Sequence, residues 1–450
     1  MARHKTWKGG CLKRPEGFKG FSIMSIGEII SLVGSSMTQF GLGIWIWQKT
    51  GNATPFSIVS TLFFVPNMIF TPVAGALVDR WPKKRALILP DLAAGIVTII
   101  TLILYKTNNL DLWFIYIASF VSGTFNAFQW PAYSVTISIM LKKEEYGKAN
   151  GLFSLTDTAP MVIAPIVAGA LLPIIKLGGI MTIDIITFIF AIGAVLWVAI
   201  PDIRKEVSEK VSLFKDAIFG FPYIAKIKPL FYLLLFFLCV NFFSGFYTTL
   251  LSPMILAKTN NNAMFLGMVE SALGIGGMVG GFIMTVWGGT KRKIYSLIGG
   301  IMIVGFGIAL LGLSKVLISY LIAGCTIGVF AIIANSSNQA IWQLKVPPSL
   351  QGRVFSARRV ISQFISVIPM AISGPIVDKF LTPVFDRSIN LVSIFGKSKG
   401  GAISLMTFVA GIMIIFVSII GFLSPEIMKV EEAETNKISE EQNLKEMNLQ

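Results

Sequence analysis

Polar residues interrupt the apolar segments of this chain at helical spacing, and the interruptions recur in both halves. About twelve apolar stretches, near 20–48, 54–79, 86–105, 111–140, 149–173, 179–200, 229–257, 263–288, 294–314, 316–344, 354–381 and 400–424, are each long enough to cross roughly 30 Å of hydrocarbon as a helix. The first stretch carries Glu28, Ser31, Ser35 and Gln39, and the seventh carries Asn241, Ser244, Thr248 and Ser252. Both sets fall at offsets 0, 3, 7 and 11, so each forms one stripe along a helix. A polar stripe in a membrane helix must face protein or water, because lipid cannot satisfy it. Two matching stripes predict an all-α integral membrane protein with twelve transmembrane helices in two six-helix pseudo-symmetric bundles and a polar cavity between them.

The segments divide six and six around a hydrophilic stretch. The expected organisation is a basic N-terminal tail (1–19), a first bundle (20–200), a linker (201–228), a second bundle (229–424) and an acidic tail (425–450). In the linker, Phe214, Ile218, Phe221 and Ile224 alternate with Lys215, Lys226 and Lys228. That pattern predicts an amphipathic helix on the membrane surface. The halves also echo each other in short basic turns, Trp81-Pro82-Lys83-Lys84-Arg85 and Gly289-Thr290-Lys291-Arg292-Lys293.

Composition agrees with a membrane chain: 54% hydrophobic, 14% charged and a mean hydropathy of +0.74. The first segment is longer than a secretory signal and lacks a small-residue cleavage site, so it is expected to stay as an anchor. The net charge of +15 first raises nucleic acid as a partner. Its placement argues otherwise, because most of the Lys and Arg fall in alternate loops and the N-terminal tail. This positive-inside bias puts both termini in the cytoplasm of a bacterial-type cell membrane. Three cysteines, Cys11, Cys239 and Cys325, are far apart, and no CxxC pair indicates zinc or a disulfide scaffold. The one histidine is His4, which leaves no histidine-based nucleophile or metal cluster for the membrane segments. Gly396-Lys397-Ser398 lacks the earlier glycine of a phosphate-binding loop, since position 391 is Leu. No enzyme, cofactor or metal is expected, and an ion gradient replaces ATP as the driving force.

The loop Gly75-Ala76-Leu77-Val78-Asp79-Arg80-Trp81-Pro82-Lys83-Lys84-Arg85 resembles the signature between the second and third helices of the major facilitator superfamily, with proline where glycine is usual. The resemblance covers nearly all of the chain and implies the major facilitator fold. It also implies that Gly75, Asp79, Arg80 and Arg85, with Asp91 as an acidic partner, form a conformational latch at the cytoplasmic side. Gly27-Glu28-Ile29-Ile30-Ser31-Leu32, Asn126-Ala127-Phe128-Gln129-Trp130-Pro131-Ala132, Gln351-Gly352-Arg353-Val354-Phe355-Ser356 and Ser373-Gly374-Pro375-Ile376-Val377-Asp378 are similar to the macrolide-efflux and enterobactin-exporter branch. Ala164-Pro165-Ile166-Val167-Ala168-Gly169 resembles a degraded antiporter motif.

Related sequences generally carry glutamine where this chain has Glu28. A carboxylate about eight residues inside a membrane helix is costly unless neutral, paired or hydrated. Glu28 is therefore the first candidate for proton coupling or for meeting a cationic substrate, and Asp157, Asp184 and Glu270 are the other coupling candidates. No Lys or Arg falls clearly within a span, so the interior is expected to be acidic and suited to neutral or cationic amphiphiles. The fourth helix adds Asn126, Gln129 and Tyr133, and the tenth adds Asn335, Asn338, Gln339 and Trp342. In the resembled fold helices 1, 4, 7 and 10 line the cavity, which makes these residues, with Ser31, Ser35, Gln39, Asn241, Ser244 and Thr248, the candidate substrate wall. Gly276, Gly277, Gly280 and Gly281 are expected to let the eighth helix pack closely.

The reading is a monomeric secondary active transporter, exporting amphipathic drugs or metabolites (macrolide-like or siderophore-like) against protons by alternating access. Uptake or facilitated movement of a small metabolite is the alternative, with a membrane-embedded enzyme or receptor behind it. The partners are a small-molecule substrate, protons and the lipid bilayer.

Overall fold

The computed structural model describes residues 14–200, 222–385, 387–396 and 398–432. Among them, ten helices are long and apolar enough to cross a membrane. One of these, Tyr146–Trp197, bends at Lys176, whose φ of 57° is left-handed, and so supplies two spans. The helix Leu112–Met140 lies outside the ten because its amide and aromatic residues dilute its hydropathy. Its 29 residues still reach about 43 Å. With these two the described residues hold the twelve expected crossings.

Spans 1 to 4 are Gly17–Thr50, Thr54–Arg80, Lys83–Lys106 and Leu112–Met140. Spans 5 and 6 are the arms 146–175 and 177–197, and spans 7 to 10 are Lys228–Lys258, Ala263–Trp287, Lys293–Leu313 and Leu317–Lys345. Span 11, Pro348–Pro375, continues through a π-helical stretch Ile376–Leu381, and span 12 is Ser398–Leu423. Large apolar side chains such as Ile174, Phe190 and Phe282 point outward, as a lipid-facing surface requires.

Close helix contact rests on small residues. Span 1 carries Gly20, Gly27, Gly34 and Gly41, one every seven residues. A Cβ at these positions would meet Val198, Ala194, Thr187 with Asp184, and Leu177 in turn. Spans 1 and 6 therefore run antiparallel with a glycine seam between them, since a seven-residue repeat stays on one helix face. On span 8, Gly276 and Gly280 abut the backbone of span 10 at Cys325 and Val329, whereas Gly281 faces open space.

The two ends of the bundle differ. At the basic end, Phe21, Met24, Val78, Leu87, Phe128, Ile137 and Val195 form an apolar core drawn from the first six spans alone. At the opposite end, Met37, Ile44, Ala164 and Ala168 share one core with Leu250, Met254, Leu266 and Val269 of the second half. Polar contacts between the halves follow the same division. Ser271 Oγ donates to Val162 O at 2.8 Å, Ser57 and Ser373 hydroxyls lie 3.0 Å apart, and Gly374 N donates to Ser57 Oγ at 2.7 Å. Asp378 accepts from Ala53 N at 3.2 Å, Thr54 N at 2.8 Å and Thr54 Oγ1 at 2.6 Å. A carboxylate of span 11 thus caps the N-terminus of span 2, where the helix dipole favours it. Lys399 bonds Gly51 O and Asn52 and lies 3.9 Å from Asp378. Among the described residues, these polar contacts between the halves lie toward the opposite end.

Two boundary segments, the linker with its expected amphipathic helix and the acidic tail, fall largely outside the described residues. The linker positions 201–221 lie outside the described residues, but Tyr223, Ile224 and Ile227 beyond them are buried in the protein core rather than laid on a surface. The acidic tail begins as a docked segment: Arg292 donates to Met428 O at 2.7 Å and pairs with Glu432 at 3.0 Å, and Lys293 N donates to Glu431 at 2.8 Å. Residues 433–450 lie outside the described set.

Candidate functional site

A cavity of about 850 Å³ lies between the halves. Spans 1 to 6 form most of its wall, and spans 7, 8 and 11 close the other side through Tyr247, Thr248, Leu251, Ser252, Glu270 and Met370. Three acids line it, Asp91, Asp184 and Glu270, together with Phe40, Phe56, Phe63, Phe64, Phe125 and Phe188. No Lys, Arg or His is among its described lining residues.

Ser31, Ser35 and Gln39 of span 1, Asn126 and Gln129 of span 4, and Thr248 of span 7 all line the cavity. Their helical spacing brings them to one wall. Asn241 and Ser244 are half-buried away from it. The tenth span does not reach the cavity either. Trp342 and Asn338 are buried, Asn335 is exposed, and Gln339 accepts a 2.7 Å hydrogen bond from Arg358. Arg358 also stacks over Trp342 and Phe355, with its guanidinium 5.1 and 5.4 Å from the ring centres. A basic residue therefore does sit inside a span, correcting the expectation, and it takes up the polar stripe of span 10. The signal was available: Arg358 lies about three turns into a helix that begins at Pro348.

The four candidate acids have different surroundings. Glu28 is 2% exposed and lies just behind the cavity wall. Gln129 donates to its Oε1 at 2.8 Å, Asn126 donates to Gln129 at 3.0 Å, and Asn67 donates to Asn126 at 2.9 Å. This amide chain joins spans 2, 4 and 1. Asp91 of span 3 and Tyr133 of span 4 face the same carboxyl. Glu28 Oε2 and the Tyr133 hydroxyl have no hydrogen-bond partner in the protein.

Asp184 is also 2% exposed. Ser35 donates to its Oδ1 at 2.9 Å and Thr98 to its Oδ2 at 3.0 Å, so a residue two turns into span 6 cross-links spans 1, 3 and 6. Glu270 accepts from Ser252 at 2.8 Å. Asp157 is exposed and does not line the cavity.

Of the latch residues, Asp91 faces Glu28 rather than the loop, because it sits on the inward face of span 3. Gly75 faces open space and Arg85 is exposed. The side chains of Asp79 and Arg80 lie outside the described set. Sequence reading missed the role of the loop lysines. Lys83 Nζ donates to Val78 O at 2.8 Å and Lys84 Nζ to Leu196 O at 3.0 Å, satisfying carbonyls at the C-termini of spans 2 and 6.

Two six-helix bundles around a polar cavity are the build of a secondary transporter. The chain belongs to the Major Facilitator Superfamily, whose pattern it matches over residues 24–370, and it is a membrane transporter rather than an enzyme. Macrolide efflux protein A of Streptococcus pyogenes is 24% identical over 385 residues, covering 84% of this chain and 92% of that protein. Macrolide efflux protein A of Enterococcus faecalis is 25% identical over 312 residues, covering 68% of this chain and 95% of that one. Among solved structures, a bacterial homologue of the human lysosomal transporter Spinster, inward-facing and unoccupied, superposes with a TM-score of 0.63 at 13% identity, covering 92% of this chain and 96% of that one. A bacterial metal transporter superposes with a TM-score of 0.61 at 13% identity, covering 93% and 100%.

Proposed function

We propose that the chain exports neutral or cationic amphiphiles, macrolide-like in size, across a bacterial cell membrane, in exchange for protons. The observation that carries this reading is the cavity. Its volume of about 850 Å³ falls within the roughly 300–1,000 Å³ of drug-sized sites. Aromatic rings supply apolar contact, and three acids with no lining cation favour positive charge over negative. The relatives named for macrolide efflux support the same direction and class. The basic end, carrying the 80–85 and 291–293 turns, is cytoplasmic by the positive-inside rule, and the lining of the cavity runs from mid-bundle toward the other end.

Glu28 and Asp91 are the proposed proton carriers. Two carboxyl groups that face each other repel when both are ionised, which suits the pair to hold one proton between them. Gln129 lines the cavity and touches Glu28, which links what occupies the cavity to the protonation of the pair. Rocking the halves about the midplane then exchanges proton for substrate.

The test is transport of a cationic dye in proteoliposomes under an imposed pH gradient, wild type against Glu28→Gln. Gradient-driven movement that fails in the mutant supports proton antiport through this carboxyl. Equal movement in both removes Glu28 from coupling. No movement in the wild type overturns the exporter reading.

A further inference from the structure

We propose that Asp184, Ser35, Thr38 and Thr98 form a binding site for a small monovalent cation of the sodium class. This site is separate from the Glu28–Asp91 pair and does not rest on the export reading. Three hydroxyl residues from spans 1 and 3 converge on the carboxylate of Asp184 in span 6. Ser35 and Thr98 donate to its two oxygens at 2.9 and 3.0 Å. Thr38 Oγ1 is turned toward the same carboxylate, is on a residue only 5% exposed, and has no hydrogen-bond partner of its own. A buried hydroxyl oxygen left unpaired beside an acid leaves free lone pairs that a cation would satisfy.

The donor set selects the ion. All ligands are oxygens, which suit hard cations rather than soft metals. One carboxylate with neutral hydroxyls balances a single positive charge, whereas divalent sites recruit more acids. No group of three His, Cys, Asp or Glu that could hold a metal exists among the described residues. Close backbone packing limits the approach. At Gly34 a single added methyl would stand 3.1 Å from Asp184 Cα and 3.3 Å from its Oδ1. Span 1 therefore closes one side of the carboxylate and leaves its approach to the cavity. Access is through the cavity, since Ser35, Thr38, Thr98 and Asp184 all line it. No described lining side chain is basic, so none of them competes for the carboxylate.

The experiment is equilibrium binding of radioactive sodium to the purified full chain in nanodiscs, at fixed pH with choline balancing the ionic strength. Saturable, stoichiometric binding is expected in the wild type, displaced by lithium better than by potassium. Asp184→Asn should weaken it at least tenfold. Thr38→Val, a milder change that keeps the side-chain shape, should weaken it severalfold, which guards against an Asp184 variant that fails to fold. Gly281→Ala, at a position facing open space on span 8, should leave it unchanged. Absence of saturable sodium binding in the wild type overturns the proposal, as does sodium binding unaltered in both Asp184→Asn and Thr38→Val. Wild-type binding of the organic cation tetraphenylphosphonium that is lost in Asp184→Asn, without any sodium binding, overturns it as well and assigns the carboxylate to substrate.

Discussion

Glu28 and Asp91 lie on different helices and reach each other only because spans 1 and 3 both present that face to span 4. The depth of Glu28 along its helix is readable from the sequence, and so is the cost of a carboxylate there. Its partner is not. Asp91 reads most naturally as belonging to the nearby basic loop, because counting residues gives depth along a helix but not which neighbour the face meets. The same limit separates Asn126 and Gln129, which do line the cavity, from Gln339, whose stripe is equally regular but is taken by Arg358. If Glu28 and Asp91 share one proton, their removal cannot be additive. Glu28→Gln and Asp91→Asn should each slow proton-driven efflux at least ~10-fold, and the double variant should stay within about twofold of either single one, since residues acting as a unit lose their function once. Efflux rates in proteoliposomes under a fixed pH gradient decide it, and additive losses would mean two separate coupling sites.

At the scale of the element, crossings and their order are legible because twenty apolar residues in a row have few other uses. The packing partner of each crossing is carried by smaller signals. Gly20, Gly27, Gly34 and Gly41 recur every seven residues in span 1, and this seam against span 6 is what brings Ser35 and Thr38 to Asp184. The polar stripe at Glu28, Ser31, Ser35 and Gln39 is more conspicuous and hides the glycines beside it. Not every glycine carries such weight. Gly34→Ala must push Thr187 Oγ1 aside and crowd Asp184 Cα at 3.1 Å, so it should destabilise the fold by about 1–3 kcal/mol, the usual cost of overpacking. Gly281→Ala meets nothing within 4 Å and should stay within about 0.5 kcal/mol of the parent. Thermal unfolding of the purified variants compares the two, and equal midpoints would deny the seam its structural role.

For the molecule as a whole, the asymmetry between its ends matters more than any one contact. The halves share a core at one end and keep separate cores at the other, so a rocking motion needs to break only the shared end. Among the described residues its polar part is small: the Ser57–Ser373 pair, the Ser271 bond to Val162 O, the Asp378 cap on span 2 and Lys399 across the loop at Gly51. Interhelical hydrogen bonds in membranes average only ~0.6 kcal/mol each, so a handful of them leaves both states within the few kcal/mol that lets a population shift. The sequence offers Ser373-Gly374-Pro375-Ile376-Val377-Asp378 as a conspicuous patch, yet its partner on span 2 is more than 300 residues away, 324 in the case of Thr54 and Asp378, and no local pattern announces it. The closed end can be locked directly. The Ser57 and Ser373 oxygens are 3.0 Å apart and both residues are fully buried, so two thiols placed there would face each other at close range. With Cys11, Cys239 and Cys325 replaced by serine, a Ser57→Cys, Ser373→Cys variant should cross-link under mild oxidation. Transport should then stop, while substrate still binds from the basic end, and a reductant should restore turnover. Full transport in the cross-linked protein would show that this end never opens, and alternating access about the cavity would have to be abandoned.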